Sequence, residues 1–220
     1  MKYYPESKVE IKGVESKIYD VGLDIITLGT YASFIKKVLE SMNIKPEDKI
    51  LDMGAGTGRN ACLMRRYLHN KGEIIGLDIG KEMIDIFKKR CSSFKNVRVL
   101  RVRIDQKIPF ENYFTKVFIS FVIHGFPQEI REIIIDNAYR ALIQGGEFFI
   151  LDYSEFDVEK IFFPAKILFK KIECSYAFDF IKRDFKNVLK KHKFRDIEEK
   201  FFYKGYIRLL KSKKEGGFNG

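Results

Sequence analysis

Tryptophan is absent from the 220 residues, and only five prolines, three histidines and three cysteines occur. The cysteines, Cys62, Cys91 and Cys174, are odd in number and far apart, and no Cys-x-x-Cys is present. These shortages argue against a disulfide framework and against a structural zinc site, and make a reducing cytosol the expected setting. No metal site is expected. No apolar run approaches the ~18–20 residues of a membrane span. Met1 to Glu10 lacks the apolar core of a secretory signal. What is present is ordinary for a globular chain: 45% apolar and 32% charged residues, with 16 glycines. That content supports one well-cored domain, is short for two, and argues against disorder and low complexity.

Charge is unevenly placed. The formal net charge is +11, of which residues 1–159 carry +1 and residues 160–220 carry +10. A basic end of this kind points to an anionic partner (nucleic acid, a phospholipid surface or an acidic substrate) or to a solvated lysine-rich face.

The middle of the chain alternates two periods. Strands are expected at 49–53, 73–78, 97–102, 116–122 and 147–152. Helices are expected at 60–70, 81–91 and 128–142, the last stopped by Gly145-Gly146. Repeated strand–helix units of this length imply a mostly parallel sheet with helices on both faces. Residues 14–46 read as helical. Phe185 to Lys193 reads as another helix, and 197–203 and 206–210 as strands joined by a tight turn at Gly205. Residues 213–220 read as a frayed tail.

The segment Leu51-Asp52-Met53-Gly54-Ala55-Gly56-Thr57-Gly58 lies between an expected strand and an expected helix. Its spacing is neither the dinucleotide Gly-x-Gly-x-x-Gly nor a P-loop. An acid just ahead of the turn disfavours phosphate and favours a ligand with a cationic amine. Asp78 ends the second strand, where an acid accepts hydrogen bonds from ribose hydroxyls or caps the following helix. Asp52, the glycine loop and Asp78 together describe a site for a nucleoside bearing an amino acid.

On these residues the chain resembles the class I S-adenosylmethionine-dependent methyltransferases, and within them it is most similar to the ubiquinone/menaquinone-biosynthesis C-methyltransferases. Tyr19-Asp20 ahead of Leu28-Gly29, Leu51 to Gly58, Gly76-Leu77-Asp78, Ile108-Pro109-Phe110, Ser120-Phe121 and Leu142 to Gly146 carry the likeness over residues 15–153. The resemblance implies an α/β Rossmann-like fold with a seven-stranded, mostly parallel sheet and helices on both faces. It implies one methyltransferase domain over residues 1–212, with a helical cap at 1–46 and a lid segment at 155–180. The cofactor would be S-adenosylmethionine, leaving as S-adenosylhomocysteine. Gly54, Ala55, Gly56 and Gly58 would pass under its methionine part, with Thr57 near the carboxylate and Asp52 near the amine. Asp78 would hold the ribose, Ile79 would pack on adenine, and Asp105, with Ile104 and Gln106 as alternates, would meet the adenine amine. Ser120 would contact the methionine end and Tyr19 would close over the cofactor.

Two departures stand out. Phe114-Thr115 replaces the family's Phe-Asp, which would weaken a loop hydrogen bond. His124-Gly125 stands where quinone-type members carry Arg-Asn. His124 follows the fourth strand, where ligands bind in open α/β sheets. It is the candidate catalytic base for an acceptor hydroxyl, or for a carbon ortho to one, or else a positioning or helix-capping residue. Phenylalanines and lysines interleaved over 156–180 would line an apolar acceptor pocket, lie on a membrane surface or simply pack.

The expected function is methyl transfer to a small, apolar or aromatic acceptor, quinone-like included. The expected setting is cytoplasmic, with weak association to an anionic membrane surface. The alternatives are an RNA or protein methyltransferase recruited by the basic third, and a cofactor-binding protein without catalysis.

Overall fold

The computed structural model describes residues 30–69, 71–160, 169 and 173–216. Tyr19, most of the expected N-terminal cap and part of the 155–180 segment lie outside the described residues.

The first helix, α1, covers Tyr31–Ser41. Then come β1 (Lys49–Met53), α2 (Arg59–Met64), β2 (Glu73–Asp78), α3 (Lys81–Arg90), β3 (Val97–Arg101) and β4 (Phe114–Ser120). After them follow α4 (Gln128–Ala141), β5 (Leu142–Tyr153), α5 (Ser175–Phe180), α6 (Phe185–Lys191), β6 (Phe194–Phe202) and β7 (Ile207–Lys214). The strands form one seven-stranded sheet in the order β3-β2-β1-β4-β5-β7-β6. β1 to β5 run parallel, and β7 lies antiparallel between β5 and β6.

Period-two alternation divides the apolar side chains between two cores. Leu51, Met53, Val117, Ile119, Phe148 and Ile150 face Ile134, Ile135 and Ala138 of α4 and Phe185 and Leu189 of α6. Ile50, Phe118, Phe149 and Leu151 face Phe34, Ile35, Val38 and Leu39 of α1, with Ala61, Met64 and Phe87. Both faces are covered, as a parallel sheet requires. No helix among the described residues is long and apolar enough to cross a membrane.

The structure adjusts several expectations. The helix expected over 60–70 is α2 followed by a 3-10 turn at Arg65–Tyr67. Gly145-Gly146 does not stop a helix: α4 ends at Ala141 and β5 begins at Leu142. Leu142 pairs with Phe114 before a register shift that passes the glycines, and its carbonyl accepts from Lys214 Nζ at 2.8 Å. Lys213 and Lys214 therefore belong to the sheet rather than to a tail. Thr115 does not cost a hydrogen bond. Its hydroxyl accepts from the Lys49 N–H at 3.0 Å and donates to Asp48 at 2.7 Å.

A larger correction concerns cysteine. Cys62 on α2 and Cys91 just past α3 form a disulfide, their Cα atoms 6.1 Å apart. Separated by 29 residues in sequence, they give no local spacing signal, and only the packing of α2 against α3 brings them together. The bridge ties the helix that leaves the glycine loop to the helix behind it. In the chain-entropy account a loop of this size contributes about 3–4 kcal/mol. Cys62→Ser/Cys91→Ser, or the wild type under reductant, is expected to unfold at lower denaturant by about that free energy, measured by equilibrium denaturation. Equal stability of the oxidised and reduced protein would show that the bridge carries no load.

Candidate functional site

β1 pairs with β2 on one side and β4 on the other, so the chain leaves β1 at the switch point of the sheet, where a crevice opens beyond the strand ends. Met53, Asp78, Ser120 and Tyr153 are the last residues of β1, β2, β4 and β5 there.

The turn after β1 places Gly54, Gly56 and Gly58 at φ +78°, +52° and +76°, a region that suits glycine. Two of the three are also packed. A Cβ on Gly54 would lie 2.7 Å from Val122, and one on Gly58 2.6 Å from Phe87. Gly56 is different, because among the described residues no atom beyond its chain neighbours lies within 4 Å of where its Cβ would be. The bare backbone there borders open space. The loop is pinned from behind. Gly54 and Ala55 donate to the Leu77 carbonyl at 2.8 and 2.9 Å, and Arg90 donates to the Thr57 hydroxyl at 2.6 Å and carbonyl at 3.1 Å. Asp78 accepts from the Gly56 N–H through Oδ2 and from the Gly80 N–H through Oδ1, each at 2.8 Å. Its carboxylate thus joins the two loops, while α3 itself has Gly80 at its N-cap and no side-chain cap.

Asp52 is buried and its Oδ2 has no hydrogen-bond partner. Burial, helped by the nearby Asp78 charge, pushes its pKa up to about 7. An uncompensated buried carboxylate is costly, and a cationic amine would relieve it.

The remaining cofactor candidates differ in availability. Ile79 is half-buried and its carbonyl accepts from Arg101 at 3.3 Å. Ser120 is half-buried at the end of β4, and Phe121 after it takes φ +53°. Ile104 packs into the core. Its carbonyl and that of Gln106 accept from Asn137 at 2.9 and 2.6 Å. The Asp105 carboxylate is engaged by Arg103, Oδ1 at 2.9 Å from Nε.

His124 sits in a 3-10 turn, Ile123–Gly125, directly after β4. Val122, two residues before it, is the side chain in contact with Gly54, so the His124 turn abuts the glycine loop. Its Nδ1 lies 2.7 Å from Asp152 Oδ1, and its Nε2 lies 3.3 Å from Glu173 Oε2. The Tyr153 hydroxyl donates to Glu173 Oε1 at 2.7 Å. Aromatic rings of Tyr153 and Phe180 stand 5.1 and 6.4 Å from the imidazole, and Tyr153 also meets Phe121, Phe156 and Phe169. Burial alone would lower the His124 pKa, but the charges and hydrogen bonds of Asp152 and Glu173 outweigh it and carry it up to about 10. At neutral pH the ring is therefore a cation, and the ordinary pKa that made it an attractive base does not apply.

Asp152, Tyr153, Glu173 and Arg131 escape a reading of the sequence as site residues. Asp152 and Tyr153 close the fifth strand, and that position was their only signal. Glu173 lies 49 residues beyond His124 in the chain, with nothing local to link them.

The sequence profile of the ubiE/COQ5 methyltransferase family matches residues 6–187. The ubiquinone/menaquinone biosynthesis C-methyltransferase UbiE of Wigglesworthia glossinidia brevipalpis is 26% identical over 163 residues, 73% of this chain and 61% of that protein's length. The demethylmenaquinone methyltransferase of Staphylococcus aureus is 26% identical over 207 residues, 92% of this chain and 81% of the relative. Among solved structures, a SAM-dependent methyltransferase from Aquifex aeolicus aligns with a TM-score of 0.61 at 20% identity, over 82% of this chain and 89% of that one. Phosphoethanolamine N-methyltransferase 2 of Haemonchus contortus, in complex with S-adenosyl-L-methionine, aligns with a TM-score of 0.68 at 17% identity, over 85% and 53%.

The state of His124 is open to direct test. A raised pKa means that the folded protein binds this proton more tightly than the unfolded chain. The stabilisation is therefore full below the ordinary value of 6.5 and is lost as pH rises through about 10. His124→Gln is expected to cost about 3–5 kcal/mol near pH 6, and progressively less toward pH 10, in denaturation series. Nitrogen-15 spectra of the wild-type imidazole should show the doubly protonated form at neutral pH. A neutral ring there would contradict the assignment.

Proposed function

Because the chain belongs to the ubiE/COQ5 methyltransferase family, and is an S-adenosylmethionine-dependent methyltransferase by that membership, we propose that its acceptor is a hydroxylated aromatic ring of the quinol type, methylated at a ring carbon. The observation that carries this reading is the buried His124–Asp152–Glu173 cluster, walled by aromatic rings and abutting the glycine loop. It also accounts for the departure at position 124. Quinone-type members carry an arginine there, and a histidine held as an imidazolium supplies a cation at the same place. A cation beside a hydroxylated ring favours its oxyanion, which enriches the ring carbon ortho to it.

The donor side fits the cofactor on two observations: the open space bordered by Gly56 and the partnerless Asp52 Oδ2. Asp52 would face the amine, the Gly54–Gly58 backbone and Ser120 the methionine part, and Asp78 the ribose. Ile79 would cover adenine, whose amine would share Asp105 with Arg103. Bound S-adenosylmethionine supplies an electrophilic methyl group on a sulfonium sulfur. The protein's own share is alignment and exclusion of water, through the pinned loop on one side and the aromatic wall of Phe121, Tyr153, Phe156 and Phe169 on the other.

The RNA or protein substrate reading is less supported. Some of the C-terminal basic side chains are engaged within the fold: Arg208 pairs with Glu155 and Glu199, Lys186 with Glu199, Lys211 with Glu147 and Glu198, and Arg183 with Asp179. What faces outward near the β6–β7 turn is Lys200 and Lys204 beside the exposed Phe201 and Tyr203, a composition suited to an anionic lipid surface.

Incubation with S-adenosylmethionine and a 1,4-dihydroxynaphthalene is expected to yield a ring C-methylated product, identified by NMR. An O-methylated product, or turnover only with RNA or protein, would overturn the acceptor assignment. Gly56→Val should fold normally and lose cofactor binding, since a β-branched residue is strained at φ +52° and its side chain enters the open space.

Asp52 gives a further test. Its carboxyl takes up a proton near pH 7 in the ligand-free protein, whereas an ammonium partner selects the carboxylate. Affinity for the cofactor should fall by up to about tenfold per pH unit below 7, and Asp52→Asn should bind weakly without that slope, by calorimetry. An identical slope in the variant would assign it to another group.

A further inference from the structure

We propose that the Cys62–Cys91 disulfide is a redox switch on cofactor binding: closed, it holds the glycine loop in the shape that takes S-adenosylmethionine, and its reduction by a dithiol weakens that binding. The inference rests on the glycine loop as the cofactor site, proposed above, and goes beyond it in assigning a means of regulation.

Both cysteines lie against the loop itself. Helix α2 starts at Arg59, directly after Gly58, and the Cys62 N–H donates to the Gly58 carbonyl at 2.9 Å. Cys91 Sγ lies 3.8 Å from the same carbonyl oxygen. The residue before Cys91 is Arg90, whose Nη1 reaches the Thr57 hydroxyl at 2.6 Å and the Thr57 carbonyl at 3.1 Å. One turn earlier, the Phe87 ring stands so close to Gly58 that a Cβ there would lie 2.6 Å from it. The last turn of α3 therefore grips Thr57 and Gly58 from one side, while α2 leaves the loop on the other. The bridge fixes the two helices to each other at that point. Gly56, whose bare backbone borders the open space, is bonded to Thr57, so the grip is next to the surface that would meet the ligand.

The chemistry is thiol–disulfide exchange. A thiolate of the dithiol attacks the sulfur of Cys62, the half-buried partner, Cys91 being buried. The S–S bond breaks with its electron pair on Cys91 Sγ, which takes up a proton. The second thiol of the reductant, as its thiolate, then attacks the mixed disulfide. Cys62 leaves as a thiolate and is protonated, and the dithiol departs as a cyclic disulfide. Two electrons and two protons have passed to the protein. With the bond broken, nothing covalent holds the start of α2 to the end of α3. The loop between them is then less preorganised, and the cofactor must order it on binding. Cys91, packed with Ala61 and Phe87, also gains an S–H donor beside the Gly58 carbonyl, in a core with little room to spare.

The test compares S-adenosylmethionine binding to the full chain, oxidised and after reduction with dithiothreitol, by calorimetry without denaturant, with circular dichroism recorded on both forms. The reduced protein is expected to stay folded and to bind about tenfold more weakly, a coupling of ordinary size. Linkage requires the reverse effect. In dithiol redox buffers, with thiols counted by alkylation and mass spectrometry, saturating S-adenosylmethionine should lower the potential of the Cys62–Cys91 pair by about 30 mV. Equal affinity in the two forms, or a potential that the cofactor leaves unchanged, would overturn the proposal. Loss of the fold on reduction would overturn it too, by making the bridge a structural staple. The cofactor site is tested separately by Gly56→Val with the bridge intact. Binding lost in that variant, with equal affinity of the two redox forms, keeps the site and removes the switch. Redox-dependent binding that survives Gly56→Val would place the cofactor off the loop and overturn both.

Discussion

Arg131 is the constraint on which the arrangement of the turn after β4, α4 and α5 depends. It is fully buried on α4, and its guanidinium reaches the carbonyls of Ile123 and His124 at 3.3 and 3.2 Å and that of Tyr176 at 2.6 Å. It also holds Asp179 at 2.7 Å. One rigid fork of donors therefore binds the turn after β4, helix α4 and helix α5 into one unit. A buried guanidinium without these acceptors would be prohibitively costly, so the turn that carries His124 and the helix beside Glu173 have little freedom to move apart. The aromatic contacts of Phe180 with His124 and Phe185 fill the space that this framework leaves.

The two sides of the site treat buried charge in opposite ways. At the end of β1 the Asp52 Oδ2 has no hydrogen-bond partner among the described residues, and burial raises the pKa to about 7. After β4 the buried group is instead engaged at both ring nitrogens, with His124 set between Asp152 and Glu173.

The same accounting changes the meaning of the basic C-terminal third. In the sequence it is an excess of ten positive charges. In the folded protein several of these are components of the sheet. Arg208 is buried against Glu155 and Glu199, and Lys214 reaches the Leu142 carbonyl and Asn112. Composition counts such residues as surface charge, and the fold uses them to close the edge where β7 runs antiparallel to its neighbours.

The sequence by itself determined the strand–helix rhythm, the mostly parallel sheet, the hairpin at Gly205 and the glycine turn after β1. Those signals are local: apolar periodicity within each element, three glycines spaced by one residue, and an acid at the end of each of two strands. It could not show that β5 begins at Leu142, since that follows from pairing with Phe114 and from Lys214 across the sheet. Nor could it show the Cys62–Cys91 bridge, which depends on how α2 and α3 pack. The clearest limit is His124. Its position after the fourth strand was legible, but its charge was not. The pKa of an imidazole is set by what surrounds it in space, and here the decisive neighbours, Asp152 and Glu173, come from parts of the chain that only the tertiary structure brings to the ring.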